Sequence, residues 1–130
     1  INSSWIIRMQ RSRGVKIGQN CHISPYVLID LIYPGMISIG NNVTIGSNVM
    51  VFAHYNPTAN ALLKESGYPR EVKKVTINDG AVIGPGSIII AGTTIGKNSI
   101  IGAGSVVSNE IPDCSVAIGN PARVIKKIKF

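Results

Sequence analysis

An isoleucine or valine returns every six residues along this chain. Ile17, Ile23 and Ile29 keep that step. After a gap of ten come Ile39, Ile45 and Val51, and after a gap of twenty-six come Ile77, Ile83, Ile89, Ile95, Ile101 and Val107. A period of six is neither the 3.6 of a helix nor the 2 of a strand. Self-similarity at a fixed step is instead the mark of a solenoid. Each unit reads Ile-Gly-x-x-small-x, as in Ile39-Gly40-Asn41-Asn42-Val43-Thr44 and Ile101-Gly102-Ala103-Gly104-Ser105-Val106. The aliphatic residue points inward. The residue four later also faces inward and is small: Cys21, Val43, Val49, Ala81, Ser87, Thr93, Ser99 and Ser105. Between them the chain turns a corner, where Gly or Asn relieves the backbone. Three units close a triangular coil, so the twelve units divide into coils 17–34, 39–56, 77–94 and 95–112. A sandwich would instead alternate with period two and show turn signals every 8–12 residues.

The pattern predicts an all-β domain with short ends. Residues 1–14, with Trp5-Ile6-Ile7 among Arg8, Arg11 and Arg13, read as an amphipathic helical cap on the first coil. A membrane-surface role for that segment stays open. Residues 15–112 form a parallel β-helix of about four coils, with a loop inserted at 52–74. Residues 113–130 form a second cap or extension. Inside the insertion, Pro57, Gly67 and Pro69 forbid a regular continuation, and Asn60–Glu65 predicts one helical turn.

Composition adjusts this picture in three places. With 45% apolar but only 5% aromatic residues, the core must be built from β-branched aliphatics, which favour extended backbone. No apolar run is long enough to span a bilayer as a helix, and the first residues carry no signal-peptide layout. The two cysteines, Cys21 and Cys114, would lie about 20 Å apart if coils rise ~4.8 Å each. A disulfide needs Cα atoms within about 7 Å, so a reducing, cytoplasmic setting is the expectation. Neither cysteine has a metal-ligand partner at a recognisable spacing.

The formal charge of +7 points to an anionic ligand. Cations crowd the start, the insertion (Lys64, Arg70, Lys73, Lys74) and the end (Arg123, Lys126, Lys127, Lys129), while the repeats carry almost none. This fits local phosphate sites. A nucleic-acid stripe would need a motif or aromatic interleaving that the chain lacks.

The hexapeptide units closely resemble those of the hexapeptide-repeat acyltransferase family, in its sugar and maltose O-acetyltransferase branch, over Ile37–Ile128. The resemblance implies a left-handed β-helix, an exception to the usual right-handed crossover. It also implies a homotrimer with sites between subunits, acetyl-CoA as co-substrate, and a sugar-type small-molecule acceptor bearing a hydroxyl or amine. In that family a histidine at the root of an extended loop is the general base, and His54 stands three residues beyond inward Val51, at such a root. Histidine suits the task because its pKa lies near neutrality. No Ser or Cys nucleophile adjoins it, so direct transfer is expected.

Asp30 follows inward Ile29, where glycine is usual, and is expected to point outward near the same root. There it would contact the acceptor or orient the histidine. Tyr55 and Asn56 are further acceptor candidates. The stretch Ala117-Ile118-Gly119-Asn120-Pro121-Ala122-Arg123 resembles the family's closing motif. Through it the resemblance places Ala103, Gly104 and Ser108 along the pantetheine arm, and Arg123 and Lys126 at the nucleotide phosphates. Val82, Pro85 and Asn109 depart from residues frequent in the galactoside and maltose enzymes. A non-catalytic assembly module is one alternative. Another is a γ-carbonic-anhydrase-like metal protein, whose three zinc histidines exceed the two, His22 and His54, present here.

Overall fold

A computed structural model describes residues 3–130. Helix α1 (Ser3–Ser12) opens the chain and buries Ile6, Ile7 and Gln10. It therefore covers the open end of the first coil, a need of every solenoid. Ile1 and Asn2, also within the expected cap, lie outside the described residues.

The first pass around the molecule supplies β1 (Lys16–Ile17), β2 (His22–Ile23) and β3 (Leu28–Ile29). The second supplies β4 (Ile37–Ile39), β5 (Thr44–Ile45) and β6 (Met50–Val51). The insertion then holds β7 (His54–Tyr55), helix α2 (Ala61–Glu65) and β8 (Glu71–Val72). The third pass is β9 (Val75–Ile77), β10 (Val82–Ile83) and β11 (Ile88–Ile89), and the fourth is β12 (Thr94–Ile95), β13 (Ile100–Ile101) and β14 (Val106–Val107). Strands β15 (Ser115–Gly119) and β16 (Ala122–Lys127) end the chain.

Three parallel sheets result, in the orders β1-β4-β9-β12, β2-β5-β10-β13-β15 with antiparallel β16 at its edge, and β3-β6-β11-β14. Their register puts repeat position on repeat position. Ile17 sits on Ile39, Ile77 and Ile95; Ile23 on Ile45, Ile83 and Ile101; Ile29 on Val51, Ile89 and Val107. Of these twelve side chains all but Ile17 are buried. Each buried Ile contributes about 1.5–3 kcal/mol. The small inward residues that are hydroxylic spend their hydroxyls on carbonyls, as Thr93 Oγ1 does on Val107 O (3.0 Å) and Ser87 Oγ on Gly102 O (3.1 Å). A buried hydroxyl without such a partner would be costly.

The parallel stack does not stop at residue 112, where the repeat count ends it. Ile111 bridges Ile95, and Ala117 sits on Ile101 in β15. The step from Val107 to Ile111 is four residues rather than six, so the chain re-enters the stack out of phase. Ser99 locks this junction, accepting from Ser115 N–H at 3.0 Å.

Candidate functional site

The step from Ile29 to Ile39 carries four residues beyond the repeat. Asp30 starts this excursion. Its Oδ1 accepts from the N–H groups of Ile32 and Tyr33, both at 2.9 Å, the self-bonding turn that aspartate favours. Its Oδ2 accepts from Ala53 N–H at 2.8 Å and from His54 Nδ1 at 2.6 Å. The outward orientation expected for Asp30 is therefore corrected: its side chain is fully buried. The excursion folds over it, and its own N–H donates to Val51 O across to the next coil (2.9 Å). Acceptor contact falls away with its exposure, and orientation of His54 is the role left.

Burial alone would raise the Asp30 pKa. The Ala53 N–H, the His54 bond, the Ile32 N–H and the nearby imidazole charge outweigh it, and hold the carboxyl below its ordinary value. An ionised Asp30 only accepts, so His54 Nδ1 must carry the donated proton. In the neutral ring the tautomer is thereby set, with the lone pair on Nε2.

His54 is about one-fifth exposed. Its ring meets that of Tyr33 edge-on, with centroids 5.0 Å apart. On the Tyr33 ring lies the Arg70 guanidinium, 4.9 Å from the centroid. Ile32, Tyr33, His54, Asn56, Thr58 and Arg70 line a cleft of about 410 Å³.

Tyr55 does not enter this cleft. It is the next residue along β7, and successive strand side chains point to opposite sides. It lines a neighbouring apolar hollow with Asn56, Pro57, Leu63 and Tyr68. Its hydroxyl donates to Glu71 Oε2 at 2.7 Å, and Lys73 pairs with the same oxygen at 3.2 Å. Those two contacts lower the Glu71 pKa, Tyr55 first, and Glu71 in turn raises those of Tyr55 and Lys73. Asn56 borders both hollows, and its Oδ1 accepts from Thr58 N–H at 3.0 Å.

The residues expected at the co-substrate do not converge within one chain. Ala103 and Gly104 are exposed at the corner between the second and third sheets, just after β13. Ser108 follows β14 at the far edge of the third sheet. That is the His54 edge, two coils on by the Val51–Ile89–Val107 register, or about 10 Å. Arg123 and Lys126 are exposed on β16, opposite Ile118 and Val116. The expected phosphate role is revised for Arg11 and Arg13. Arg11 spends its guanidinium on the carbonyls of Ile17 and Gly18, and Arg13 on those of Ile29 and Asp30. Arg13 thus braces the Asp30 turn from just beyond the end of helix α1. His22 lies on the second sheet beside Ser24 Oγ (3.3 Å). Among the described residues no three His, Cys, Asp or Glu side chains converge, and no helix is long and apolar enough to cross a membrane.

Residues 74–109 match the family described as bacterial transferase hexapeptide (six repeats), and residues 36–53 match the hexapeptide repeat of succinyl-transferase. The chain is similar to a putative acetyltransferase, YvoF, of Bacillus subtilis, at 32% identity over 85% of this chain and 59% of that protein. It is also similar to the crystal structure of a maltose O-acetyltransferase from Clostridium difficile, with 35% identity, a TM-score of 0.74, and coverage of 95% of this chain and 75% of that one. A galactoside acetyltransferase in complex with coenzyme A follows, at 30% identity and a TM-score of 0.70, covering 95% and 70%. The chain belongs to the hexapeptide-repeat acetyltransferase family. It spans 59% of the Bacillus protein's length.

Proposed function

We propose that this chain transfers an acetyl group from acetyl-CoA to a hydroxyl or amine of a sugar-type acceptor, with His54 as general base. The observation that carries this is the bond from His54 Nδ1 to buried Asp30, which fixes the ring and leaves Nε2 in the cleft. In the reaction Nε2 takes the acceptor's proton while its oxygen or nitrogen attacks the thioester carbonyl carbon. The tetrahedral adduct then collapses, the C–S bond breaks, and the CoA thiolate leaves and recovers a proton from the imidazolium. Asp30 stays ionised throughout and steadies that imidazolium, as the acid of a Ser-His-Asp triad does. No acyl-enzyme forms.

The maltose and galactoside enzymes it resembles support the sugar-type acceptor, and the coenzyme A complex supports the co-substrate. We also propose a left-handed helix of about four coils, assembled as a homotrimer and working in the cytoplasm. Ala103, Gly104 and Ser108 are proposed to follow the pantetheine arm, with Arg123 and Lys126 at the nucleotide phosphates. The split of Ala103 and Gly104 from His54 and Ser108, over the two edges of the third sheet, fits a site completed by a second subunit.

The test is thiol release from acetyl-CoA with a panel of sugars. General-base catalysis is worth about 10²–10⁴-fold, so His54→Ala should lose that much turnover while the protein stays folded, its melting temperature lowered only by the lost bond to Asp30. Equal turnover in the variant would remove His54 from the chemistry. No CoA binding by the parent chain would favour an assembly module instead.

A further inference from the structure

The chain has six acidic residues against thirteen Lys and Arg, yet only Arg70 brings a cation into the His54 cleft. Among the described residues Arg70 makes no hydrogen bond or ion pair, and its guanidinium rests on the face of Tyr33. Nearby acids are already occupied. Asp30 takes four donors, and Glu71, the residue next to Arg70, is held by Tyr55 and Lys73. The stack from Arg70 to Tyr33 to His54 keeps the guanidinium carbon within about 10 Å of the imidazole. A sugar ring fits such a span.

Stacking on an aromatic ring uses the face of a guanidinium and leaves its N–H edge free. That edge, planar and forked, matches a carboxylate or phosphate bidentately. A neutral sugar needs no such group. A full charge left without a carboxylate partner beside a base suits an anion that arrives with the ligand.

We infer that the cleft selects an acceptor bearing an anionic group, a carboxylate or phosphate, with Arg70 as its counter-ion and Tyr33 as the platform that holds Arg70. This rests on the acetyl-transfer reading for the identity of the cleft, and it narrows the acceptor to acidic or phosphorylated sugars. The phosphates of coenzyme A offer the same chemistry from another source, so the test separates the two.

Acceptors are compared in matched pairs: neutral hexosides against the corresponding uronic acids and sugar phosphates. Parent protein, Arg70→Gln and Arg70→Lys are assayed, with melting curves for each. A charge-assisted contact contributes about 1.5–3 kcal/mol, or about tenfold to a hundredfold. The parent should therefore favour the anionic member in kcat/KM by at least about tenfold. Arg70→Gln should bring that ratio near unity, and Arg70→Lys should keep part of it. Equal use of both members by the parent overturns the inference. So does a rise in the KM for acetyl-CoA in Arg70→Gln with the acceptor ratio intact, which would assign Arg70 to the co-substrate. If no acceptor turns over, the acetyl-transfer reading fails by itself, and calorimetric binding of the same pairs decides. Glucuronate bound by the parent and released by Arg70→Gln supports the anion site, and equal binding to both proteins removes it.

Discussion

Asp30 stays ionised although burial opposes it, because four N–H donors converge on its two oxygens. Its folded pKa lies below its unfolded value of about 3.9. The stability it adds is therefore present above about pH 4 and lost as pH falls through the folded pKa. Asp30→Asn should flatten that acid limb, which urea melts between pH 3 and pH 6 would read; an unchanged limb would show that Asp30 is not the group responsible. The variant also keeps only one oxygen for the four donors and loses the charge that holds the Nδ1 proton; a charge-assisted hydrogen bond contributes about 1.5–3 kcal/mol, or about 10–100-fold. We expect kcat to fall by about that factor while the KM for acetyl-CoA holds, and a merely structural role would not produce such a split. At this scale the sequence was half legible. Asp30 stood out because it follows an inward Ile where the other two corners mostly carry glycine, and His54 because the repeat breaks there. The Tyr33–Arg70 stack was not legible, because the two residues lie on different excursions and only the folded insertion brings them together. Burial of Asp30 was missed for the same reason: residue type alone does not show that an excursion closes over it.

The Ile-Gly step carries more than corner relief. The left-handed corner residues are mostly the fourth of each unit, such as Asn42 (φ 59°), Asn48 (φ 62°) and Gly80 (φ 74°). The glycine after Ile is needed for another reason. A Cβ on Gly84 would lie 2.6 Å from both Ala103 N and Ile101 O of the next coil. Backbone atoms in a packed stack cannot yield as a side-chain tip can. Gly84→Ala should therefore destabilise by about 1–3 kcal/mol, the usual range for overpacking. Gly35→Ala is the control, since its Cβ would come no nearer than 3.9 Å to Gly14 O; it should shift stability by less than about 0.5 kcal/mol. Equal melting curves for the two variants would refute the close-approach account. The third corner breaks the glycine rule, with Asp30, Phe52, Ile90 and Ser108 after the inward residue. Both excursions leave the stack there. Period and corner chemistry made the coils readable, whereas the β7–β8 antiparallel ribbon at the base of the insertion was not. Two-residue strands carry too little alternation to reveal pairing across such a loop. The four-residue step into Ile111 was hidden likewise, because a change of phase looks like the end of a repeat.

At the scale of the molecule, one solenoid presents its candidate groups on different edges. His54 leaves the third sheet at one edge, and Ala103 and Gly104 lie at the other, where that sheet meets the second. A thioester following Ala103 in one chain is therefore separated from the His54 of that chain by the width of a sheet. If the proposed homotrimer closes by rotation, a heterologous contact sets one edge of each subunit against the other edge of its neighbour. Each site then takes its base from one subunit and its pantetheine track from the next. This can be tested by mixing two inactive proteins. His54→Ala removes the base, and Ala103→Trp fills the track with a bulky ring at an exposed position. Each alone should be inactive. When the two are unfolded together at equal amounts and refolded, about a quarter of the shared sites receive both intact halves by chance in a cyclic trimer. Recovery of about a quarter of the parent rate is the expected result. No recovery, with trimers verified by sedimentation, would place base and track in the same subunit. The separation along the third sheet would then have to be bridged by the insertion itself.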